Sequence, residues 1–110
     1  MEKFGINKLL LSLAFLLVFS GSVGATPISS CTTISSPGVY VLATDITNSS
    51  AFKCIEITAS DVVLDGNGFT VDGVNKDFPS YGVYVDDSSN TLTNITVKNL
   101  NVTDWYYGIY

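Results

Sequence analysis

The sequence predicts an all-β fold in which very short strands stack as the coils of a solenoid. After residue 26 the apolar residues show no helical period and instead recur as pairs two positions apart, which is typical of short strands with one buried face. Gly, Asn, Asp and Ser, residues that turn the chain, separate the pairs. The pairs are Val39/Val41, Ile55/Ile57, Val62/Leu64, Phe69/Val71, Val83/Val85, Ile95/Val97 and Leu100/Val102.

The pairs repeat in order along the chain. The YGVY sequence at 81–84 recurs as YGIY at 107–110, a spacing of 26 residues, and the other equivalent strands lie 28 to 33 residues apart. The GVYV sequence at 38–41 is identical to 82–85 and counts as a further repeat. The first residues of the apolar pairs fall into the sets Ile55/Val62/Phe69 and Val83/Ile95/Leu100, and Ile109 opens a third set. Repeats of this length predict stacked coils. An antiparallel sandwich is the alternative, but it gives no reason for corresponding strands to carry corresponding residues.

The bends between strands carry residues that tolerate left-handed backbone. Gly66 lies two residues after Leu64, and Asn99 lies two residues after Val97, its counterpart one coil later. Glycine adopts a positive φ freely, and asparagine adopts it better than most residues. We therefore expect a positive φ at both positions.

The N-terminus has the features of a cleavable signal peptide. Two lysines within the first eight residues precede an apolar run at 9–19, and small residues follow at 21–25. We expect cleavage before Thr26, so that 1–25 is removed and 26–110 is exported to the cell surface or the medium. A transmembrane anchor is the alternative, but eleven residues fall short of the roughly 20 needed to span a bilayer.

The exported chain is acidic, with three lysines against nine carboxylates, a net charge of −6, and neither His nor Arg. Nucleic acid and anionic membranes would be repelled, whereas cations and neutral sugars remain suitable partners. We therefore expect no nucleic-acid partner, and no membrane contact once the signal peptide is cleaved.

Two kinds of covalent modification are predicted. Cys31 and Cys54 both follow the cleavage site, and we expect them to form a disulfide, since an oxidising compartment permits it. Two free or metal-binding thiols are the alternative. Sequons begin at Asn48, Asn94 and Asn101, and these asparagines are candidate glycosylation sites.

The acidic residues are the first candidates for chemistry. General acid–base catalysis needs two carboxyls at a fixed separation across a cleft, whereas adjacent residues of a strand point to opposite faces. Calcium needs six to eight oxygen ligands, and no such ligand spacing is visible. We therefore expect no cofactor, with calcium as the alternative, and interpret these residues as turn caps and solvated surface: Asp61, Asp65, Asp72, Asp77, Asp86 and Asp87.

Aromatic residues concentrate near the C-terminal end, and exposed rings stack on sugars. Tyr84, Trp105 and Tyr110 are the candidates for carbohydrate stacking. Tyr84 and Tyr110 are equivalent by the repeat and should lie one above the other on the outer face if Val83 and Ile109 point inward. We favour packing as core or as a ladder, which requires no ligand, and a carbohydrate-binding strip is the alternative.

The run VVLDGNGFTVDG at 62–73, followed by GVYV at 82–85 and ITVKN at 95–99, resembles the right-handed parallel β-helix repeats of pectin-lyase-like proteins. It is most similar to NosD-like proteins and to the secreted or surface β-helix proteins of methanogenic archaea. The segment 36–46 resembles the opening of such domains. The resemblance implies a right-handed parallel β-helix of about two to three coils, but this architecture hosts many activities.

Three functions follow from the resemblance. The first is a structural or adhesive role in the cell envelope, with polysaccharide or other envelope components as partners. The second is the N-terminal part of a polysaccharide lyase or hydrolase whose active site lies in downstream coils. Asp86 and Asp87 resemble the adjacent aspartates of polygalacturonases, but those enzymes add His and Arg, which this chain lacks. The third is copper maturation, for which Cys31 and Cys54 are the only available soft ligands of the exported chain.

The sequence reaches only the first apolar residue of a further strand, Ile109, before Tyr110. Stacked coils need caps, because an open end exposes apolar side chains and unpaired strand edges. We therefore expect 26–110 to be the N-terminal portion of a longer, truncated domain, with self-association through the open coil end if no further coil follows.

Overall fold

A computed structural model describes residues 24–74 and 77–110, so the predicted signal peptide lies outside the described residues except for its last two positions. Those ranges contain eleven strands and no helix. None of their segments is therefore a helix able to cross a bilayer. The strands are β1 (Thr26–Ile28), β2 (Thr32–Ile34), β3 (Gly38–Leu42), β4 (Ile46–Ser49), β5 (Lys53–Ile57), β6 (Val62–Asp65), β7 (Thr70–Gly73), β8 (Tyr81–Val85), β9 (Ile95–Lys98), β10 (Asn101–Thr103) and β11 (Tyr107–Ile109).

The strands form three parallel sheets. The first sheet has the order β1-β3-β6-β9, the second β4-β7-β10 and the third β2-β5-β8-β11. From β3 onward the chain visits the first, second and third sheet in that fixed cycle, so each set of three strands makes one coil. All pairings are parallel, which confirms the all-β prediction with stacked short strands and excludes the antiparallel sandwich for the described residues.

The register of the coils follows the predicted repeat. Ile55 pairs with Val83, and Val83 pairs with Ile109, in the third sheet. In the first sheet Val62 pairs with Ile95. Ile109 is nevertheless exposed, because none of the described strands stacks beyond β11. Parallel in-register stacking places equivalent residues of successive coils in the same environment, which is why the repeat is visible in the sequence.

One predicted repeat is wrong. β3 and β8 share the letters GVYV, but β3 belongs to the first sheet and β8 to the third. Their phases are also opposite, since Val39 is 39% exposed whereas Val83 is fully buried. Tyr40 packs against the core and Leu42 is fully buried, so the inward set of β3 is the one that excludes Val39. The pair Val39/Val41 was predicted to face the core, and a one-residue change of phase moves such a pair to the other face.

The core lies between the three sheets and is aliphatic apart from Cys54 and Trp105. The indole Nε1–H of Trp105 donates a hydrogen bond to the Val71 carbonyl at 3.0 Å, which satisfies its polar atom. The buried hydrophobic residues are Ile28, Ile34, Leu42, Ile46, Cys54, Ile55, Ile57, Val62, Leu64, Val71, Val83 and Trp105.

The bend after β6 differs from the prediction. Asn99 has the expected positive φ of 54°, but Gly66 does not have one. The left-handed residues there are Asn67, at 53°, and Gly68, at 84°, and the Phe69 amide closes the turn by donating to the Gly66 carbonyl at 2.8 Å. Glycine is required at position 66 for space, since a Cβ there would lie 2.5 Å from the carbonyl oxygen of Asn99 in the next coil.

The predicted disulfide between Cys31 and Cys54 is present. It joins the residue just before β2 to β5, its neighbour in the third sheet. The bond therefore fastens the first strand of this sheet to the rest of the stack.

Candidate functional site

In β8, a strand of the third sheet, buried and exposed residues do not alternate strictly. Gly82 and Val83 are consecutive and both buried, so Tyr81 and Tyr84 emerge together on the outside, with ring centroids 4.7 Å apart. A Cβ on Gly82 would lie 2.6 Å from Val102 Cγ1. The packing of the next coil therefore leaves no room for a side chain at position 82.

The YGIY copy one coil later places its tyrosines over those of β8 and builds two columns. Tyr107 stacks on Tyr81 with centroids 5.2 Å apart and ring planes 11° apart. Tyr110 stacks on Tyr84 at 5.4 Å and 9°. The predicted ladder of Tyr84 and Tyr110 is confirmed. We call these four residues the tyrosine columns.

Two further rings enlarge this surface. Phe52 meets Tyr81 edge-on at 5.5 Å, and Tyr106 meets Tyr107 at 4.7 Å. Phe52 and Tyr106 are both exposed. The tyrosine columns with Phe52 and Tyr106 form the aromatic face, a contiguous patch carried mainly by two hydrogen-bonded strands, β8 and β11.

One cation lies within the aromatic face. The Lys53 ammonium is 4.1 Å from the Tyr84 ring centroid and 3.1 Å from Glu56 Oε2. The hydrogen bond to Glu56 raises the pKa of Lys53, so its charge is held and locally balanced. Partial burial, together with the Asp86 carboxylate, raises the pKa of Tyr84. The Tyr84 hydroxyl therefore remains a neutral hydrogen-bond donor, with Asp86 Oδ2 at 3.5 Å.

The structure separates the three residues predicted to stack on sugars. Trp105 is 7% exposed and packs in the core, as the core-packing interpretation expects, so its ring is not accessible to a sugar. Tyr84 has Lys53 from the preceding coil on one face and Tyr110 from the following coil on the other. Tyr110 is 58% exposed and is the predicted residue whose ring remains accessible in the described chain.

Sequence reasoning missed four members of the aromatic face as contact residues. The stacking of Tyr81 and Tyr107 could have been predicted from the sequence. These two residues occupy equivalent positions in the YGVY and YGIY copies, just as Tyr84 and Tyr110 do. The contacts of Phe52 and Tyr106 could not have been predicted, since each lies immediately before a strand, where the two-residue period gives no side-chain direction.

The aspartates serve mainly to tie coils together. Asp61 accepts a hydrogen bond from Asn94 Nδ2 at 2.8 Å, and Asp65 accepts one from Asn99 Nδ2 at 3.1 Å. In both pairs the carboxylate and its donor belong to successive coils. Hydrogen bonds from the Asn67 amide and from Asn99 lower the pKa of Asp65.

Asp72 also bonds across coils, whereas Asp86 and Asp87 bond within their own coil. Asp72 accepts from Thr103 Oγ1 at 2.8 Å, and this bond, followed by one from the Asn48 amide, lowers its pKa. Asp87 caps the next turn by accepting from the Ser89 amide at 3.0 Å, which lowers its pKa, whereas Asp86 accepts from Tyr84. The adjacent carboxylates thus bind different groups.

Side chains that ligate metals are not clustered in the described part of the chain. No group of three or more His, Cys, Asp or Glu residues there is arranged to hold an ion. Both cysteines are in the disulfide, which removes the thiolates that a copper site on this chain would use.

All three sequon asparagines are exposed. Asn94 and Asn101 use their side-chain amides to bond Asp61 and the Gly68 carbonyl, at 2.8 and 3.2 Å. Asn48 has a positive φ of 50° and donates its backbone amide to Asp72 at 3.1 Å. Solvent exposure therefore does not distinguish the three asparagines as glycosylation sites, and their glycosylation remains a prediction.

Comparison with family models, with curated proteins and with solved structures gives no match. The aromatic face therefore has to be interpreted from its own geometry.

Proposed function

We propose that this chain is a segment of an exported, right-handed parallel β-helix of the pectin-lyase-like type, related to NosD-like and methanogen surface proteins. Its role is structural or adhesive in the cell envelope, and it contacts neutral polysaccharide through the aromatic face. The cyclic order of the three parallel sheets supports the β-helix. The disulfide supports export, because such bonds persist in oxidising compartments.

The observation that carries the proposal is the exposure of clustered tyrosine rings on a hydrogen-bonded sheet. Tyrosine combines an apolar ring with a polar tip, so one residue can cover a sugar ring and bond its hydroxyls. It does so at a small cost in side-chain entropy, as in other tyrosine-rich recognition surfaces. The sheet positions these rings before any ligand arrives, which lowers the ordering cost of binding.

The charges on the face favour a neutral ligand. Lys53 is bonded to Glu56, so it offers no uncompensated charge to an acidic sugar. Asp86 lies beside Tyr84, and the exported chain carries a net charge of −6. A polyanion would therefore be repelled, whereas a neutral polysaccharide would not.

A structural role fits the contacts better than catalysis. The candidate acid carboxylates accept hydrogen bonds from donors in their own turn or in the next coil. Neither the lyase or hydrolase hypothesis nor copper maturation gains a specific contact from the described residues.

Affinity electrophoresis tests the proposal. The full chain should migrate more slowly in gels that contain a neutral β-glucan, and not in gels that contain polygalacturonate. Tyr107→Ala and Tyr110→Ala should each weaken retardation by about 2- to 10-fold, the range expected for one aromatic contact. Val39→Ala, an exposed apolar residue on the first sheet, is the matched control and should leave it unchanged. Equal retardation of all three variants, or retardation by polygalacturonate alone, would contradict the proposal.

A further inference from the structure

The tyrosine columns bring together oxidisable side chains from two different coils. Tyr81 and Tyr107, and likewise Tyr84 and Tyr110, lie in neighbouring strands with their rings nearly parallel. The register places the residues of the first pair directly opposite each other. Each phenol is therefore held beside its equivalent in the next coil, with the ring centroids 5.2 and 5.4 Å apart.

We propose that the tyrosine columns are a site of oxidative cross-linking, where a peroxide couples a tyrosine of β8 to its stacked partner in the following coil as dityrosine. Each phenol loses one electron and its hydroxyl proton. The two phenoxyl radicals form one carbon–carbon bond between ortho carbons, and the two ring hydrogens move to the phenol oxygens to restore aromaticity. The peroxide takes up two electrons and two protons, so two phenols and one hydrogen peroxide give one dityrosine and two waters.

The surroundings of Tyr84 suit the first step. Its hydroxyl donates towards Asp86 Oδ2 at 3.5 Å, so a carboxylate is in place to receive the proton that oxidation releases. Tyr110 and Tyr107 are exposed, which gives the oxidant access and the rings freedom to rotate as the bond forms. The product joins two coils covalently at β8 and β11, in the same sheet as the disulfide but at its opposite end.

The stacked pairs differ in geometry from the other tyrosine contacts. Tyr81 and Tyr84 of the same strand meet at 75°, and Tyr81 and Tyr110 of neighbouring coils meet at 67°. In such edge-on contacts the rim of one ring points at the face of the other, so ortho carbons do not face each other. Coupling should therefore prefer the stacked pairs.

Treatment of the full chain with hydrogen peroxide and a peroxidase, at low protein concentration, tests this preference. Cleavage after Lys76 and Lys98 separates the β8 tyrosines, on peptide 77–98, from those of β11, on peptide 99–110. We expect the two peptides to be covalently joined in monomeric protein, with a mass two hydrogens below their sum. Coupling confined within either peptide, or found only in dimers, would overturn the proposal.

Two double variants separate stacking from proximity. Tyr81→Phe/Tyr107→Phe keeps the stacked pair Tyr84 and Tyr110, with centroids 5.4 Å apart. Tyr84→Phe/Tyr107→Phe keeps Tyr81 and Tyr110, 5.3 Å apart but edge-on. The first variant should join the two peptides several-fold faster than the second, and its melting temperature should rise on oxidation. Equal rates in the two variants would show that stacking has no role.

Discussion

Two glycines at equivalent positions should respond differently to the same substitution. Gly82 and Gly108 occupy the same place in the YGVY and YGIY copies and lie in adjacent strands of the third sheet. A Cβ on Gly82 would lie 2.6 Å from Val102 Cγ1 and 2.7 Å from the Gly108 carbonyl oxygen. A Cβ on Gly108 would find its nearest atom, Val102 Cγ1, at 3.5 Å, which is ordinary contact.

The cost of Gly82→Ala follows from these distances. One of the two close atoms belongs to the backbone, so β11 must move as a strand. Overpacking of this kind costs about 1–3 kcal/mol, and we expect about 2 kcal/mol after the roughly 0.4–1 kcal/mol that alanine gains by restricting the unfolded chain. Gly108→Ala has the gain without the clash and should be neutral or slightly stabilising.

Urea denaturation followed by far-ultraviolet circular dichroism measures both variants. A loss of about 2 kcal/mol would lower the melting temperature of a domain of this size by roughly 8–16 °C. Gly82→Ala should show that loss, and Gly108→Ala should not. Equal destabilisation by the two alanines would refute the close packing of one coil on the next.

Three further predictions concern other parts of the stack. Replacing Cys31 and Cys54 by serine opens a link of 23 residues and should cost about 3 kcal/mol in urea denaturation. Because the pKa of Asp72 lies below its ordinary value of 3.8, its carboxylate stabilises the fold above that pH, and the stabilisation is lost as pH falls through the lowered pKa. The urea midpoint should therefore fall with acidification, and less steeply in Asp72→Asn. Trp105→Phe leaves the Val71 carbonyl without its donor and should cost about 1–3 kcal/mol.

The stacking of coils can be predicted from the sequence because parallel, in-register strands reuse the same environment. Val62 and Ile95 occupy one inward position in successive coils, and so do Ile55 and Val83. Each position selects a β-branched residue of similar size, and the repetition is visible without any structure.

The phase of a strand is harder to predict. GVYV turns one face inward in β3 and the other in β8, because the preceding turn and the sheet that receives the strand decide the direction. The letters of four residues do not contain that information. The role of Gly66 is equally hard to predict from the sequence. A glycine can be required either for a positive φ or for close packing of another backbone segment, and only close packing applies at position 66.

The sequence alone does not decide between core packing and sugar stacking for Trp105, for a related reason. The space that it occupies in the core is created by the missing side chains of Gly73 and Gly82, whose Cβ atoms would lie 2.8 and 3.1 Å from its ring. A gap left by two glycines on different strands cannot be recognised until the strands are placed. The aromatic face was only partly predicted, because its extent depends on turns that bring Phe52 and Tyr106 beside the tyrosine columns.

Hydrogen-bond scalar couplings between β8 and the chain after β11 test the parallel stack most directly. The Tyr110 amide donates to the Val83 carbonyl at 2.9 Å, and the Val85 amide donates to the Tyr110 carbonyl at 2.7 Å. In a parallel ladder, one residue forms hydrogen bonds to the two residues that flank its partner in the adjacent strand. Nuclear magnetic resonance should detect both couplings, Tyr110 to Val83 and Val85 to Tyr110. Couplings that join Tyr110 in both directions to a single residue would show antiparallel pairing and contradict the stacked coils.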